Sequence, residues 1–97
     1  MGSGKVRIAV VGVGGMGSSH AKTVQEKVED AELAAVVDII ASRARSVGEE
    51  RGVPWFKSHQ ELLDAGLADA VVIATPHYFH PTIGIDAFEA GLHVLSE

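Results

Sequence analysis

Residues 6–17 read Val-Arg-Ile-Ala-Val-Val-Gly-Val-Gly-Gly-Met-Gly, and this stretch decides the fold. Its first half is a short, nearly continuous apolar run, which is typical of a central parallel strand that is covered on both faces. Its second half, from Gly12 to Gly17, matches the pattern G-x-G-x-x-G. Helical spacing follows, so the stretch predicts a strand, a glycine turn and a helix in direct succession.

Steric requirements explain why this turn contains glycines. Gly12 permits a tight turn, Gly14 lets a diphosphate approach the backbone, and Gly17 lets the helix pack closely on the strand. The free amides and the positive end of the helix dipole then face the diphosphate. We therefore predict that a dinucleotide diphosphate is bound by the loop residues Gly12, Gly14, Gly15, Met16 and Gly17.

Three other interpretations of the glycine loop compete with this one. A P-loop fails because Ser18 follows Gly17, where that loop requires a lysine. A glycine-rich turn without any ligand is the structural alternative. A nucleotide-binding methyltransferase fits less well, because the loop and an acidic residue downstream suit an NAD diphosphate better than S-adenosylmethionine.

That acidic residue is Asp38, which ends the second apolar run and follows Gly17 by 21 residues. A carboxylate near this position accepts hydrogen bonds from the adenosine ribose hydroxyls and repels a 2′-phosphate, so NAD is favoured over NADP. The alternative is that Asp38 only caps the following turn or helix. Ser42, Arg43 and Arg45 keep NADP open, since an arginine there could hold a 2′-phosphate, although such helix charges are usually only solvated.

Apolar, β-branched runs alternate with helical segments along the chain, which predicts the α/β class. Further strands are expected at residues 33–37, 53–56, 70–74 and 92–96. Pro54 cannot donate to a strand ladder, so its run should lie at a sheet edge. We predict a Rossmann-type, three-layer, open parallel sheet of about five strands in the order 3-2-1-4-5.

Helices are expected between the strands. Ser58 and Glu61 form a capping box, in which each side chain bonds the other's backbone amide. Gly52 suits the end of the second helix, and Pro81 suits the first position of the fourth. The apolar residues at helical spacing are Ala21 and Val24, Ala44 and Val47, Leu62 and Leu63, and Ile85 and Phe88.

Length and charge limit the function classes. The 97 residues carry a net charge of −5 and no cysteine. The negative net charge argues against nucleic acid and anionic membranes as partners. The absence of cysteine fits a reducing, cytoplasmic compartment. We expect a flexible leader at residues 1–4 and a single dinucleotide-binding domain at residues 5–97.

Several motifs together resemble the N-terminal domain of the Gfo/Idh/MocA oxidoreductases, a family named for glucose-fructose oxidoreductase and inositol dehydrogenase. They are residues 8–17, His20, residues 35–38, residues 70–76, His80 and residues 91–97. The resemblance spans residues 6–97. It implies the nucleotide-binding domain of an NAD(P)-dependent oxidoreductase that acts on a sugar, an inositol or a related polyol by hydride transfer.

The resemblance also implies further cofactor-binding residues. Thr75 and Pro76 look like the turn against the cofactor, and His80 looks like the start of the helix beside the nicotinamide. Glu97 matches the first residue of a Glu-Lys-Pro motif, whose lysine lies in the family's active site. The prolines could instead only shape a loop, and a metal pair of His77 with His80 has no supporting cysteine or nearby carboxylate.

Because the chain stops at Glu97, we expect an incomplete domain without the substrate domain and its catalytic acid/base residues, which by itself does not turn over. An uncovered fifth strand and uncovered helix faces predict self-association into a homo-oligomer. The rival from another class is a non-catalytic module that uses the dinucleotide, or only the fold, for sensing or assembly.

Overall fold

Strands and helices alternate throughout the part of the chain that the computed structural model describes, which is residues 6–12, 15–27, 30–74 and 80–96. The strands are β1 (Val6–Val11), β2 (Ala31–Val37), β3 (Trp55–Phe56), β4 (Ala70–Ile73) and β5 (His93–Ser96). The helices are α1 (Gly15–Lys27), α2 (Ala41–Arg51), α3 (His59–Ala65) and α4 (His80–Glu89). Among these four helices, none combines the length and the apolar character that a membrane span requires.

The strands form one parallel sheet in the order β3-β2-β1-β4-β5. This confirms the predicted α/β fold and strand order. The two-residue strand β3 lies at the edge, as Pro54 predicts. Pro54 itself precedes the strand and contributes its carbonyl, which accepts a hydrogen bond of 3.0 Å from the Val36 amide. In the observed order, β1 is the central strand and is paired with β2 on one side and with β4 on the other.

The sheet separates two hydrophobic clusters, because successive side chains of a strand point to opposite faces. The cluster under α3 and α4 contains Ala9, Val11, Ala35, Val37, Leu62, Val71, Ile73 and Ala87. The cluster under α1 and α2 contains Val10, Ala21, Val24, Ala31, Leu33, Val36, Val47 and Val72. Helices thus cover both faces, and the three-layer arrangement follows.

The helix ends agree with the sequence in part. Gly52 ends α2 in the left-handed conformation with φ +71°. The Ser58 Oγ accepts a hydrogen bond from the Glu61 amide, as predicted. The reciprocal bond was predicted wrongly, because Glu61 Oε1 accepts from the Lys57 amide at 3.1 Å. The extended backbone of Ser58, with φ −141° and ψ 154°, brings that earlier amide within reach.

Helix α4 also differs from its prediction in one detail. It begins at His80, so Pro81 is its second residue and not its first. Proline is tolerated there because the first amides of a helix have no acceptor within the helix. Among the α4 side chains that the structure describes, Ala87 is buried, whereas Ile85 and Phe88 are exposed. This helix therefore presents an apolar outer surface.

An ion pair joins β1 to the residue before β4, at the amino end of the sheet. Arg7 Nη2 lies 3.0 Å from Asp69 Oδ1, and the Arg7 amide donates to Asp69 Oδ2 at 2.9 Å. The side-chain hydrogen bonds from Arg7, more than any other cause, hold the pKa of the Asp69 carboxyl below its usual value. Because both side chains are exposed, the pair contributes little to stability.

Candidate functional site

The carboxyl ends of β1, β2 and β4 lie side by side at one edge of the sheet. Val11, the last residue of β1, pairs with Val37 on one side and with Ile73 on the other. Backbone bonds continue past the strands: the Gly12 amide donates to the Val37 carbonyl at 2.6 Å, and the Ala74 amide donates to the Val11 carbonyl at 2.8 Å. Ligands of open parallel sheets bind outside such strand ends, so this edge is the candidate site.

Gly12 turns the chain as it leaves β1. Its φ is +93°, in the region that side chains other than glycine rarely adopt. The residue is buried, and its amide is held by the carbonyl that precedes Asp38. The glycine turn and the end of β2 are therefore fixed to each other directly.

Helix α1 begins at Gly15, so Gly15, Met16 and Gly17 form its first turn. The first amides of a helix lack acceptors within the helix and carry the positive end of its dipole. A helix that starts just beyond the end of the first strand presents those amides to the candidate site. This arrangement can hold a diphosphate.

Asp38 directly follows β2 and is buried, with 5% of its surface exposed. Its Oδ1 accepts a hydrogen bond of 2.9 Å from the Ile40 amide, and Arg43 Nη1 lies 3.9 Å from its Oδ2. Its own amide donates to the Phe56 carbonyl at 3.1 Å. The side chain is thus placed at the sheet edge by both neighbouring strands.

The bond to Ile40 bears on the two predicted roles of Asp38. Asp38 stabilises the turn between β2 and α2, but it is not the N-cap of α2, since that position is Ile40. A carboxylate has about four acceptor positions, so the bond from the Ile40 amide does not by itself exclude bonds from ribose hydroxyls. The turn contact and the ribose contact can therefore be made by the same side chain.

Two apolar side chains at this edge were missed by sequence reasoning. Ile39 and Ile40 are 70% and 45% exposed, although both are large and apolar. The signal in the sequence was their position directly after the acidic residue, in a connection that leads to a helix. Both therefore expose apolar surface in the turn that directly follows Asp38.

Other predicted residues fall partly or wholly outside the described ranges. His80 is the first residue of α4, the helix that follows β4 in the chain. Lying outside the described residues are the leader at residues 1–4, Gly14, Thr75, Pro76, His77 and Glu97. The contacts of these residues stay predictions.

A family model described as an oxidoreductase family with an NAD-binding Rossmann fold matches residues 6–97. The chain belongs to the Gfo/Idh/MocA oxidoreductase family. The matched region is the NAD-binding domain of that family, which confirms the predicted resemblance, the Rossmann-type fold and NAD as the cofactor of the domain. Gly12 and Asp38 directly follow adjacent strands, at the edge of the sheet where ligands of open parallel sheets bind.

Several known Gfo/Idh/MocA relatives are similar. An inositol 2-dehydrogenase from Corynebacterium glutamicum is 34% identical over 96 residues, which are 98% of this chain and 28% of the relative. A scyllo-inositol dehydrogenase from Lactobacillus casei, solved with NAD(H) and scyllo-inositol, superposes with a TM-score of 0.89 at 30% identity over 95% of this chain and 27% of its own.

A third similar protein is the WlbA dehydrogenase from Bordetella pertussis, solved with NADH and UDP-GlcNAcA. It superposes with a TM-score of 0.89 at 33% identity, over 95% of this chain and 28% of its own. The chain therefore spans little more than a quarter of the family members that it matches.

Proposed function

We propose that this chain binds NAD(H) at the carboxyl edge of its sheet, as the cofactor domain of a dehydrogenase. The observation that carries the proposal is the hydrogen bond of 2.6 Å from the Gly12 amide to the Val37 carbonyl. It joins the glycine turn to the strand end that bears Asp38, so one ligand can contact both. A cytoplasmic location belongs to the proposal, since the chain contains no cysteine.

The diphosphate would lie against the glycine turn. Gly12 and the first turn of α1, which contains Gly15, Met16 and Gly17, flank the position where amides and the helix dipole favour an anion, and we propose that Gly14 contacts the diphosphate as well. The positive φ of Gly12 keeps the backbone turned at this point. These residues would bind the negatively charged diphosphate through their backbone amides, without a charged side chain.

The adenosine would lie on the side of β2. The Asp38 carboxylate accepts hydrogen bonds from the ribose hydroxyls, while its Oδ1 also holds the Ile40 amide. Ile39 and Ile40 expose apolar surface beside it, which suits the face of a planar purine. Asp38 would therefore contact the ribose, and Ile39 and Ile40 would contact the purine next to it.

The nicotinamide would lie on the side of β4. The bond from the Ala74 amide to the Val11 carbonyl directs the chain towards the candidate edge just before Thr75 and Pro76. We propose that these two residues, with His80 at the start of α4 and Glu97 beyond β5, face that end of the cofactor. In this arrangement the end of β1 faces the diphosphate, the end of β2 faces the adenosine and the end of β4 faces the nicotinamide.

The proposed activity of the whole protein is reversible oxidation of a secondary alcohol on an inositol, a related polyol or a sugar. The matching inositol 2-dehydrogenase and scyllo-inositol dehydrogenase support this substrate class. NAD, when bound, supplies the hydride acceptor. This chain orients the cofactor, and hydride transfer also needs a substrate held against it in a dry pocket. We therefore expect no turnover by the chain alone.

Asp38 provides the first test. NADH should bind more tightly than NADPH, since the carboxylate bonds the ribose and repels a 2′-phosphate. Asp38→Ala should lower NADH affinity by about 10-fold and narrow the difference between the two cofactors, because hydrogen bonds to charged groups contribute about 1.5–3 kcal/mol. Fluorescence titration of both reduced cofactors measures this.

Two further variants separate the ribose contact from the turn contact. Asp38→Asn keeps an acceptor for the Ile40 amide and removes the charge. It should therefore also narrow the difference between NADH and NADPH affinity, while the turn is preserved. Asp64→Ala removes an exposed carboxylate on α3 and should change neither affinity. Equal affinities of the unchanged chain for NADH and NADPH would contradict the assignment of Asp38.

We also propose that the domain self-associates. Leu95 is exposed on the edge strand β5, where it pairs in register with Val72, a member of the cluster under α1 and α2. Ile85 and Phe88 expose further apolar surface on α4. An open edge strand and apolar patches both favour contact with a second copy.

Sedimentation velocity across protein concentrations tests the self-association. The unchanged chain should shift to larger species as concentration rises. Leu95→Lys should reduce this shift if the edge strand mediates contact, since a charge there opposes strand pairing. Phe88→Lys tests the surface of α4 in the same way. A monomer at every concentration would be evidence against the proposal.

A further inference from the structure

His59 and Asp86 form a hydrogen-bonded pair that joins α3 to α4. His59 Nε2 lies 2.7 Å from Asp86 Oδ2, and both side chains are partly buried. Because an ionised carboxylate only accepts hydrogen bonds, the histidine donates from Nε2. Neither residue belongs to the glycine turn or to the turn around Asp38, so the diphosphate and ribose contacts do not account for this pair.

Apolar packing between α3 and α4 is incomplete near the C-terminal ends of the two helices. A cavity of about 80 Å³ lies there, lined by Leu62, Leu63 and residues 66–68 on the α3 side and by Ala90 and Leu92 on the α4 side. Side chains that face a void lose the dispersion contacts that a filled core would provide. Packing therefore fixes the separation of the two helices less firmly, and the hydrogen bond has a larger share in fixing it.

The C-terminal end of α4 is attached to the sheet by other contacts. Ala87 is buried in the cluster under α3 and α4, and its carbonyl accepts a hydrogen bond of 3.0 Å from the Leu92 amide, just before β5. Asp86 comes six residues after His80, the first residue of α4. At a rise of 1.5 Å per residue this is about 9 Å, so a rotation of about 10° about Asp86 would displace the start of the helix by about 1.5 Å.

We propose that His59 is a positioning residue for the nicotinamide half of the cofactor, because its hydrogen bond to Asp86 sets the orientation of α4. The inference rests on the proposed function, which places the nicotinamide beside the start of α4 at His80. In this role His59 acts through the helix and makes no contact with the cofactor. Loss of the bond therefore weakens the contacts of the nicotinamide, whereas the contacts of the diphosphate and the adenosine, at the ends of β1 and β2, are retained.

The test compares the affinities of NADH and of ADP, which has the adenosine and the diphosphate but no nicotinamide. Both are measured by isothermal titration calorimetry on the complete 97-residue chain and its variants. His59→Ala should lower NADH affinity by about fivefold and ADP affinity by less than about twofold, because only NADH reaches α4. His93→Ala, the matched control, removes an exposed histidine at the start of β5 and should change neither affinity.

Further variants show whether the hydrogen bond itself is responsible. His59→Gln supplies an amide donor in place of Nε2 and should keep NADH affinity within about twofold of the unchanged chain. Asp86→Ala should match His59→Ala, and the double variant should lose no more than either single variant, because all three remove the same bond. A merely structural role would lower the free energy of unfolding but leave the ratio of NADH to ADP affinity unchanged.

The outcomes distinguish the two proposals. If His59→Ala, folded by circular dichroism, keeps the affinity ratio of the unchanged chain, the role of His59 is overturned and the NAD site stands. The same conclusion follows if His59→Gln binds NADH as weakly as His59→Ala. If the unchanged chain binds NADH no more tightly than ADP, the placement of the nicotinamide and the role of His59 are both overturned. If it binds neither, the proposed function fails and the role of His59 fails with it.

Discussion

Gly12→Val is expected to lower NADH affinity by at least about 100-fold. Gly12 has φ +93°, which valine adopts only with strain of order 1–3 kcal/mol. Relief of that strain would rotate the peptide and disturb the 2.6 Å bond to the Val37 carbonyl. The glycine turn would then no longer face Asp38, and two contacts with the dinucleotide would be lost together, at about 1.4 kcal/mol for each factor of ten.

Gly52→Val is the matched control for this experiment. Gly52 has a comparable backbone conformation, φ +71°, and an added Cβ would find nothing within 4 Å. It ends α2, away from the carboxyl edge of the sheet. Both variants should lose stability in urea unfolding, but only Gly12→Val should lose NADH binding in titrations of folded protein. Similar affinities of the two variants would show that the turn at Gly12 is not part of the site.

Gly48→Val is expected to lower the free energy of unfolding by about 3 kcal/mol, since overpacking a core typically costs about 1–3 kcal/mol. Gly48 is buried where α2 meets β3. A Cβ at this position would lie 2.8 Å from Trp55 Cβ, 2.9 Å from Trp55 Cδ1 and 3.0 Å from the Val53 carbonyl oxygen. At an exposed helix position, replacing glycine normally raises the stability of the helix. A loss of stability in Gly48→Val would therefore show that the added side chain collides with Trp55 and Val53.

Ser46→Val on the outer surface of α2 controls for the β-branched side chain. Urea unfolding should show a much smaller change for Ser46→Val than for Gly48→Val, because Ser46 is exposed. A drop of about 3 kcal/mol corresponds to a fall in Tm of more than about 10 °C for a domain of this size. Equal stabilities of the two variants would mean that Trp55 and β3 move aside at little cost.

The sequence predicted the fold well because its local signals agreed with one another. Apolar runs of strand length, end signals such as Gly52, and Pro54 in the third run led to the observed sheet order and to the edge position of β3. The bounds shifted by a residue or two, and the capping box lost one partner. Such details depend on the geometry of single turns, which the pattern does not specify.

The candidate site could be predicted only as far as sequence spacing reaches. The positions of Gly12 and Asp38 at adjacent strand ends follow from the motif and its acidic partner. The contact of Arg43 with Asp38 and the exposure of Ile39 depend on how α2 leaves the turn. The close approach of Gly48 to Trp55 depends on packing between elements. None of these three features has a local pattern in the sequence.

The central position of β1 has a consequence for how the domain is made. Its β2 partner comes early in the chain, whereas its β4 partner pairs Ile8 with Ala70. During synthesis, which runs from the amino terminus at about 5–20 residues per second, one side of β1 therefore waits for several seconds without its native neighbour. The nascent chain exposes an apolar strand edge in that interval, when association with other chains competes with folding. The pairing of β1 with β4 brings together the strand ends that form the candidate ligand-binding edge.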